Sequence, residues 1–497
     1  MVKRWMAMLG LAALLVAGSQ GRAQNQTLVV EGGTLIDGNG RAPVPNAVVV
    51  IEGNRIKAIG TKGQVKYPAN AKVINAEGKS ILPGLFDTHA HYAEWQPPIW
   101  RHFGFTTLLT LGGETKWMAA QKDAQRKGVL KGPRMWISGS IIDGPVSNMR
   151  PDRRQGVKTW PNGDSVQTPE EGVAIVKKHI EEGADFIKHY EAMTPEIWKA
   201  VSAEAHKHGV KVGGHSENAR IAVESGMDII VHMNSVIRAL SPHHAAELKM
   251  MKEFDFARFW PSPAGHYQYW MEPAEYDGFI KYVVDKGVPI NPTIMHSWWV
   301  WGTAIPHSKE WATEMIEFEK ANDAGLAFVP QKIRQSWVEA METGKRVPAR
   351  RAIGDQVSAT HPTDFEGYIK EREFLQKFVK AGGHLIAGAD NSANMTPGLC
   401  TDQEMEALVF AGVPPMQVIQ SVTKWPAEAW KAEIARDLGT IEVGKLADVI
   451  LVNGDPLKDI RVMRNVDTVI QDGEIVDTKF DPNWKNPLPA PAGATEE

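Results

Sequence analysis

The chain has 497 residues, 43% hydrophobic and 23% charged, and its 55 basic against 59 acidic side chains leave a formal charge of −4. This balance excludes a nucleic-acid or anionic-membrane binder working through bulk charge, and the composition is that of a folded chain with a large core. The single cysteine, Cys400, is expected as a small buried hydrophobe; it excludes an intramolecular disulfide and a zinc site built on thiolates, so any metal is held by histidine, carboxylate or a less usual group.

The chain opens with Lys3 and Arg4, an apolar run from Trp5 to Ala17 and small residues up to Ala23. About 13 apolar residues fall short of the ~20 that span hydrocarbon, so residues 1–23 read as a signal peptide rather than an anchor. The expectation is an exported protein, periplasmic or secreted in a bacterium, with no stable membrane span after cleavage. Residues 24–84 alternate short β-rich pieces with Gly, Asn and Pro turns, and residues 438–480 repeat the pattern, predicting one small β-sandwich domain formed from both chain ends. Residues 481–497, rich in Pro and small residues, read as a flexible tail.

Between these ends, residues 85–437 alternate apolar runs with amphipathic stretches, the βα pattern of a parallel sheet. Candidate strands fall at 85–88, 106–111, 134–138, 185–189, 211–215, 228–232, 288–292 and 384–390, and eight of them predict a (β/α)8 TIM barrel. Residues 233–285 and 295–383 are longer than a helix and its loops require, and read as insertions walling the face where barrel enzymes do chemistry.

Side chains alternate along a strand, so His89 and His91 in Phe86-Asp87-Thr88-His89-Ala90-His91 project to one side, within reach of one cation. His215, His232 and Asp390 each terminate an apolar strand candidate, where an uncompensated polar group is awkward unless something uses it. If the barrel forms, all five converge. Lys188 sits inside another apolar strand, and as an ammonium it has no lone pair for a metal. Two readings stand: a structural lysine paired with a carboxylate, or a carboxylated lysine whose carbamate bridges two cations.

In these residues the chain resembles the amidohydrolase superfamily of metal-dependent hydrolases, in its imidazolonepropionase-related and prolidase-like branch. The likeness runs through LPGLFDTHAH at 82–91, GFTT at 104–107, Ile187-Lys188, HSENARIAVESGMDIIVH at 215–232, Gly388 to Asp390 and GTIEVGKLADVILVNGDPL at 439–457. The resemblance implies that His89 and His91 bind one metal, that His215 and His232 bind a second, and that carboxylated Lys188 bridges them. It implies Asp390 as both ligand and catalytic proton shuttle. It further implies two divalent ions, expected to be zinc, that lower the pKa of a shared water so that hydroxide cleaves an amide C–N bond. Two dications with hydroxide, carbamate and Asp390 leave about +1, which suits a substrate bearing a carboxylate.

The expected substrate is an N-acyl amino acid or dipeptide-like small molecule. Prolidase-like members carry Gly-His-Gly near the third strand where this chain has SGSIIDGPVSN, so cyclic amides, lactones and aromatic amides stay open, as does a metal-containing binding protein without turnover. Tyr190, Asn234, Arg238 and His296 lie just past strand ends and are candidate substrate contacts, and Trp95, Trp298, Trp299 and Trp301 are candidates for an aromatic pocket wall. His206 and His208 read instead as solvated residues at a helix C-terminus before Gly209. Walker, GxGxxG, GxSxG and HExxH motifs are absent, and the resemblance favours homo-oligomers.

Overall fold

The structure is a computed structural model that describes residues 27–144, 163–190, 192–216, 218–242, 271–295, 308–343, 362–391 and 395–488. The segment read as a signal peptide, His296 and the three tryptophans after it lie outside the described residues.

Both chain ends build one sheet. Strands β1 (Leu28–Leu35), β2 (Val44–Glu52), β3 (Arg55–Thr61), β4 (Lys72–Asn75) and β5 (Lys79–Pro83) come from the N-terminal side. The middle of the chain supplies β6 (Leu85–Ala90), β7 (Phe105–Thr110), β8 (Arg134–Ile137), β9 (Ile141–Asp143), β10 (Gly163–Ser165), β11 (Ile187–His189), β12 (Val212–Gly214), β13 (Ile229–Val231) and β14 (Ile290–Asn291). The C-terminal side adds β15 (Val449–Asn453), β16 (Val466–Gln471) and β17 (Glu474–Val476).

The terminal strands run in the order β17-β16-β15-β5-β1-β2-β3, with β4 also on β1, and the antiparallel β5–β15 ladder joins the two chain ends. Hydrogen bonding is continuous through this single eight-stranded sheet, where two separate sheets were expected. Its residues alternate as period 2 requires. Val449 and Leu451 pack with Leu28, Val30, Val49 and Ile81 on one face, while Ile450 and Val452 join the larger core under the parallel strands. The β16–β17 hairpin closes on Asp472 and Gly473 with φ of 52° and 79°, the two positive values that a two-residue turn matching strand twist needs.

The central strands are parallel but fall into two sheets, β6-β7-β8 and β10-β9-β11-β12-β13-β14. A single closed eight-stranded sheet, as expected from the sequence, is not what the ladders form. The break lies in the third strand, which divides at Ser138, Gly139 and Ser140: β8 pairs with β7, β9 pairs with β11, and Gly139 turns between them with φ 70°. Single backbone bonds cross the seams, Asp185 N to Ile137 O at 2.7 Å on one side and Thr88 N to Ala387 O at 3.3 Å on the other. The stretch expected as the eighth strand lies extended beside β14, with Leu385 bridged to Ile290.

Helices cover these strands and start where the sequence signals them. Thr168 and Thr194 cap the helices Pro169–Glu181 and Pro195–Lys207 through their hydroxyls, each with Pro at the first helical position. The second ends at His208 before Gly209, whose φ is 68°, as the sequence predicted. The described parts of the two long insertions are helical, including Tyr276–Asp285, Ser308–Ala321 and Pro362–Lys380. Among the described residues no helix is long and apolar enough to cross a membrane. Residues 481–488, read from sequence as part of a loose tail, make side-chain hydrogen bonds to Tyr92 and Gln121.

Candidate metal centre

The parallel strands bring the predicted residues together at their C-terminal ends. His89 lies within β6 and His91 one residue beyond it; His215 and His232 directly follow β12 and β13; Asp390 ends the 384–390 stretch. Lys188 is the middle residue of β11, 1% exposed, while its neighbour His189 turns to the covering helix and packs on Trp198 at 5.6 Å.

Asp390 Oδ1 lies 2.8 Å from His91 Nε2 and 3.5 Å from His89 Nε2, and its Oδ2 lies 3.6 Å from His232 Nε2. His215 Nε2 and His232 Nε2 are 2.8 Å apart. The ligand atoms fall into two overlapping groups, His89 with His91 and Asp390, and His89 with His215 and His232, each spanning no more than 4.8 Å. His89 is fully buried and neither of its ring nitrogens makes a hydrogen bond. A buried imidazole in that state has a use for its lone pair, and the donor set, imidazole with carboxylate, suits a zinc-like dication.

The electrostatics keep these rings in the ligating form. Burial pushes His215 well below its usual 6.5, helped by the Lys188 charge and by His232 and His89. Burial also holds His89 well below 6.5, against the attraction of Asp390. Neutral imidazole is the form that binds metal.

His232 carries further information on its tautomer. Thr293 Oγ1 donates its one proton to Pro292 O at 2.8 Å, so toward His232 Nδ1 it can only accept. The proton of His232 therefore sits on Nδ1, and the Nε2 lone pair faces His215 and Asp390. Holding this geometry strains the backbone: His232, Thr293 and Asp390 have φ of 68°, 48° and 54°, three of the five described non-glycine residues with positive φ. Thr293 is β-branched, for which such a φ is an outlier.

Sequence reasoning missed the groups that hold the ligands. Asn391 accepts from His91 N at 2.9 Å and donates to His91 O at 3.2 Å. Asn291 Nδ2 donates to Thr88 Oγ1 and Ile386 O, tying β14, β6 and the 384–390 stretch together. Buried Asp87 accepts from His89 N, Trp100 Nε1 and Thr401 Oγ1, and Glu404 accepts from the amides of Ile294 and Met295 next to Thr293. The adjacency of Asn391 to Asp390 is the only cue that the sequence offered for any of these.

Of the predicted substrate contacts, Tyr190 is buried and stacks on His215 with centroids 4.1 Å apart and planes at 29°. Asn234 and Arg238 lie on the helix Met233–Ala239 that begins directly after His232, with Arg238 buried. Trp95 is buried against Trp337, and so serves packing. Cys400 is buried as expected, with burial raising its thiol pKa well above the ordinary value.

The fold and this cluster define a metal-dependent hydrolase. The profile of the amidohydrolase family matches residues 102–476, most of the chain, and the protein belongs to that family, whose members act on C–N bonds. It is 28% identical over 257 residues to an enamidase of Eubacterium barkeri, covering 47% of this chain and 63% of the enamidase, so less than two thirds of that relative's length is spanned. Solved structures share the fold: a Xaa-Pro dipeptidase with bound methionine (TM-score 0.60, 23% identity, 91% of this chain and 100% of that one). A second is molinate hydrolase (TM-score 0.60, 20% identity, 92% and 95%).

Proposed function

We propose that this chain is an exported amidohydrolase that hydrolyses an amide C–N bond with a two-metal centre on a (β/α)8 barrel. The observation that carries the reading is the pair of overlapping ligand groups sharing His89, whose buried ring makes no hydrogen bond. His89, His91 and Asp390 would hold one ion and His215 and His232 the second, with carboxylated Lys188 bridging them. Zinc fits the nitrogen and oxygen donors. When bound, such ions lower the pKa of water toward neutrality and polarise a substrate carbonyl.

The protein's own groups do the rest. Asp390 takes a proton on its carboxylate and delivers it to the leaving amine nitrogen. The Thr293 hydroxyl keeps His232 in the competent tautomer, and Asn391 fixes the backbone of His91 at the mouth. Tyr190 covers one face of His215 and, with Asn234 and Arg238 on the next helix, would orient the substrate; His296 joins this set from sequence alone. Export rests on residues 1–23 of the sequence.

N-acyl amino acids or dipeptide-like compounds are the leading substrates, supported by the likeness to a Xaa-Pro dipeptidase. The likenesses to an enamidase and a molinate hydrolase favour a second reading, a cyclic or other non-peptide amide. The test is metal content per chain with intact mass under native conditions, followed by an amide panel on the parent and Asp390→Asn. About two equivalents, the added mass of one carboxylate, and a loss of kcat by orders of magnitude in the variant are expected. One equivalent without the carboxylate points to a one-metal enzyme; bound metal with no turnover on any amide points to a binding protein.

A further inference from the structure

Among the six converging residues, His91 has the least support from its own element. It stands one residue past β6, and its side chain is 37% exposed where those of His89, His232 and Asp390 are at most 8%. Its place depends on the connection from β6 to the helix Pro97–His102. Asn391 pins that connection on the side of the metal centre.

The other side is pinned by the end of the chain. Asn486 Nδ2 donates to Gln121 Oε1 at 2.9 Å, Glu94 O at 3.1 Å and Tyr92 OH at 3.3 Å, and its Oδ1 accepts from Leu488 N at 2.9 Å. Gln121, fully buried on the helix Thr115–Arg126, accepts from Tyr92 OH at 2.9 Å and donates to Leu488 O at 3.3 Å. Tyr92 itself is held between Trp100 and Trp117. At the far end of the same connection, His102 Nδ1 meets Thr478 O at 3.1 Å and its ring packs on Phe480 at 4.6 Å. Residues 478–488 thus grip both ends of the stretch that follows His91, from a point 394 residues away in sequence.

We propose that residues 478–488 are a clasp that positions His91 for its metal, with Asn486 as the buckle. The proposal rests on the reading of His91 as a ligand. Asn486 touches no ligand; it acts through Tyr92 and Glu94, which set where the backbone leaves β6. Partners one shell removed from a metal typically tune its affinity by 10–100-fold, and a group acting through the adjacent backbone falls at the lower end.

The experiment uses the full chain with Asn486→Ala and Asn486→Asp. The second keeps the volume and the acceptor for Leu488 N but loses all three donations, so it isolates the clasp from the cavity. Zinc release to a chromogenic chelator, the absorption spectrum of the cobalt-loaded protein and the thermal midpoint are read in each. Expected are about tenfold faster release of one metal equivalent, an unchanged rate for the other, and an altered cobalt spectrum in both variants. Parental release and spectra in both variants, even with a lowered midpoint, would overturn the clasp and leave a purely structural role. A parent that binds no metal would overturn the ligand reading beneath it, an outcome separate from the first.

Discussion

Thr293→Val removes one acceptor at the metal centre while leaving shape almost unchanged. Both residues are β-branched, so the strain of a φ of 48° is common to them. In the variant, a proton on His232 Nδ1 has no partner at a residue 5% exposed, at a cost of about 1–3 kcal/mol. The ring avoids this by moving the proton to Nε2, where His215 Nε2 lies 2.8 Å away to accept it. The metal-free protein therefore loses about 1 kcal/mol or less. Metal binding needs the Nε2 lone pair and must reverse the tautomer, incurring the full cost, which corresponds to roughly tenfold to hundredfold weaker binding. The assay pairs zinc titration against a competing chelator with denaturant melts in excess chelator. Equal affinities in variant and parent, or equal destabilisation with and without metal, would refute the tautomer argument.

Two further perturbations address the frame around the centre. A methyl group on Gly388 would sit 2.4 Å from His89 N and 2.9 Å from His89 Cβ, backbone contacts that cannot retreat. Gly388→Ala is expected to cost about 1–3 kcal/mol and to part His89 from Asp390, so that a chain purified in zinc retains less metal than the parent; parental metal content and melting would count against it. Glu404 has a carboxyl pushed by burial from its ordinary 4.5 to about 8, despite the two amides it accepts from. Between those values the folded state holds a proton that the unfolded state has released, so this group's contribution to stability falls as pH rises from 4.5 to 8. Glu404→Gln cannot titrate, and its stability relative to the parent is expected to improve from pH 5.5 to pH 8 in urea melts; a difference independent of pH would contradict the protonated carboxyl.

The sequence carried the centre because its signals are local. His89, His91, Lys188, His215, His232 and Asp390 each stand at or near the end of a short apolar run, and parallel strands bring such ends to one place. The divided third strand was not legible, since three residues at Ile141–Asp143 are too few to show a period and Gly139 reads as a loop. Nor were the supporting groups. Thr293 finds His232 across 61 residues, Glu404 finds Ile294 across 110, Asn391 finds His91 across 300, and a polar residue says nothing about a partner at that separation.

The distribution of strain separates a working centre from a relic. His232, Thr293 and Asp390 hold positive φ values that cost of order 1–3 kcal/mol each, and such backbone persists only where its surroundings impose it. Here the surroundings do so with buried polar groups: Glu404 on the amides after Thr293, and Asn391 directly beside Asp390 with both its bonds on His91. None of these groups gains a better core by being there, since apolar residues of similar volume would pack the same space without buried polar atoms. A scaffold that had lost turnover would have no reason to keep strain and buried polarity aimed at one point. Their concentration around Asp390 and His232 argues that the geometry of this cluster, and the hydrolysis that depends on it, is what the local sequence maintains.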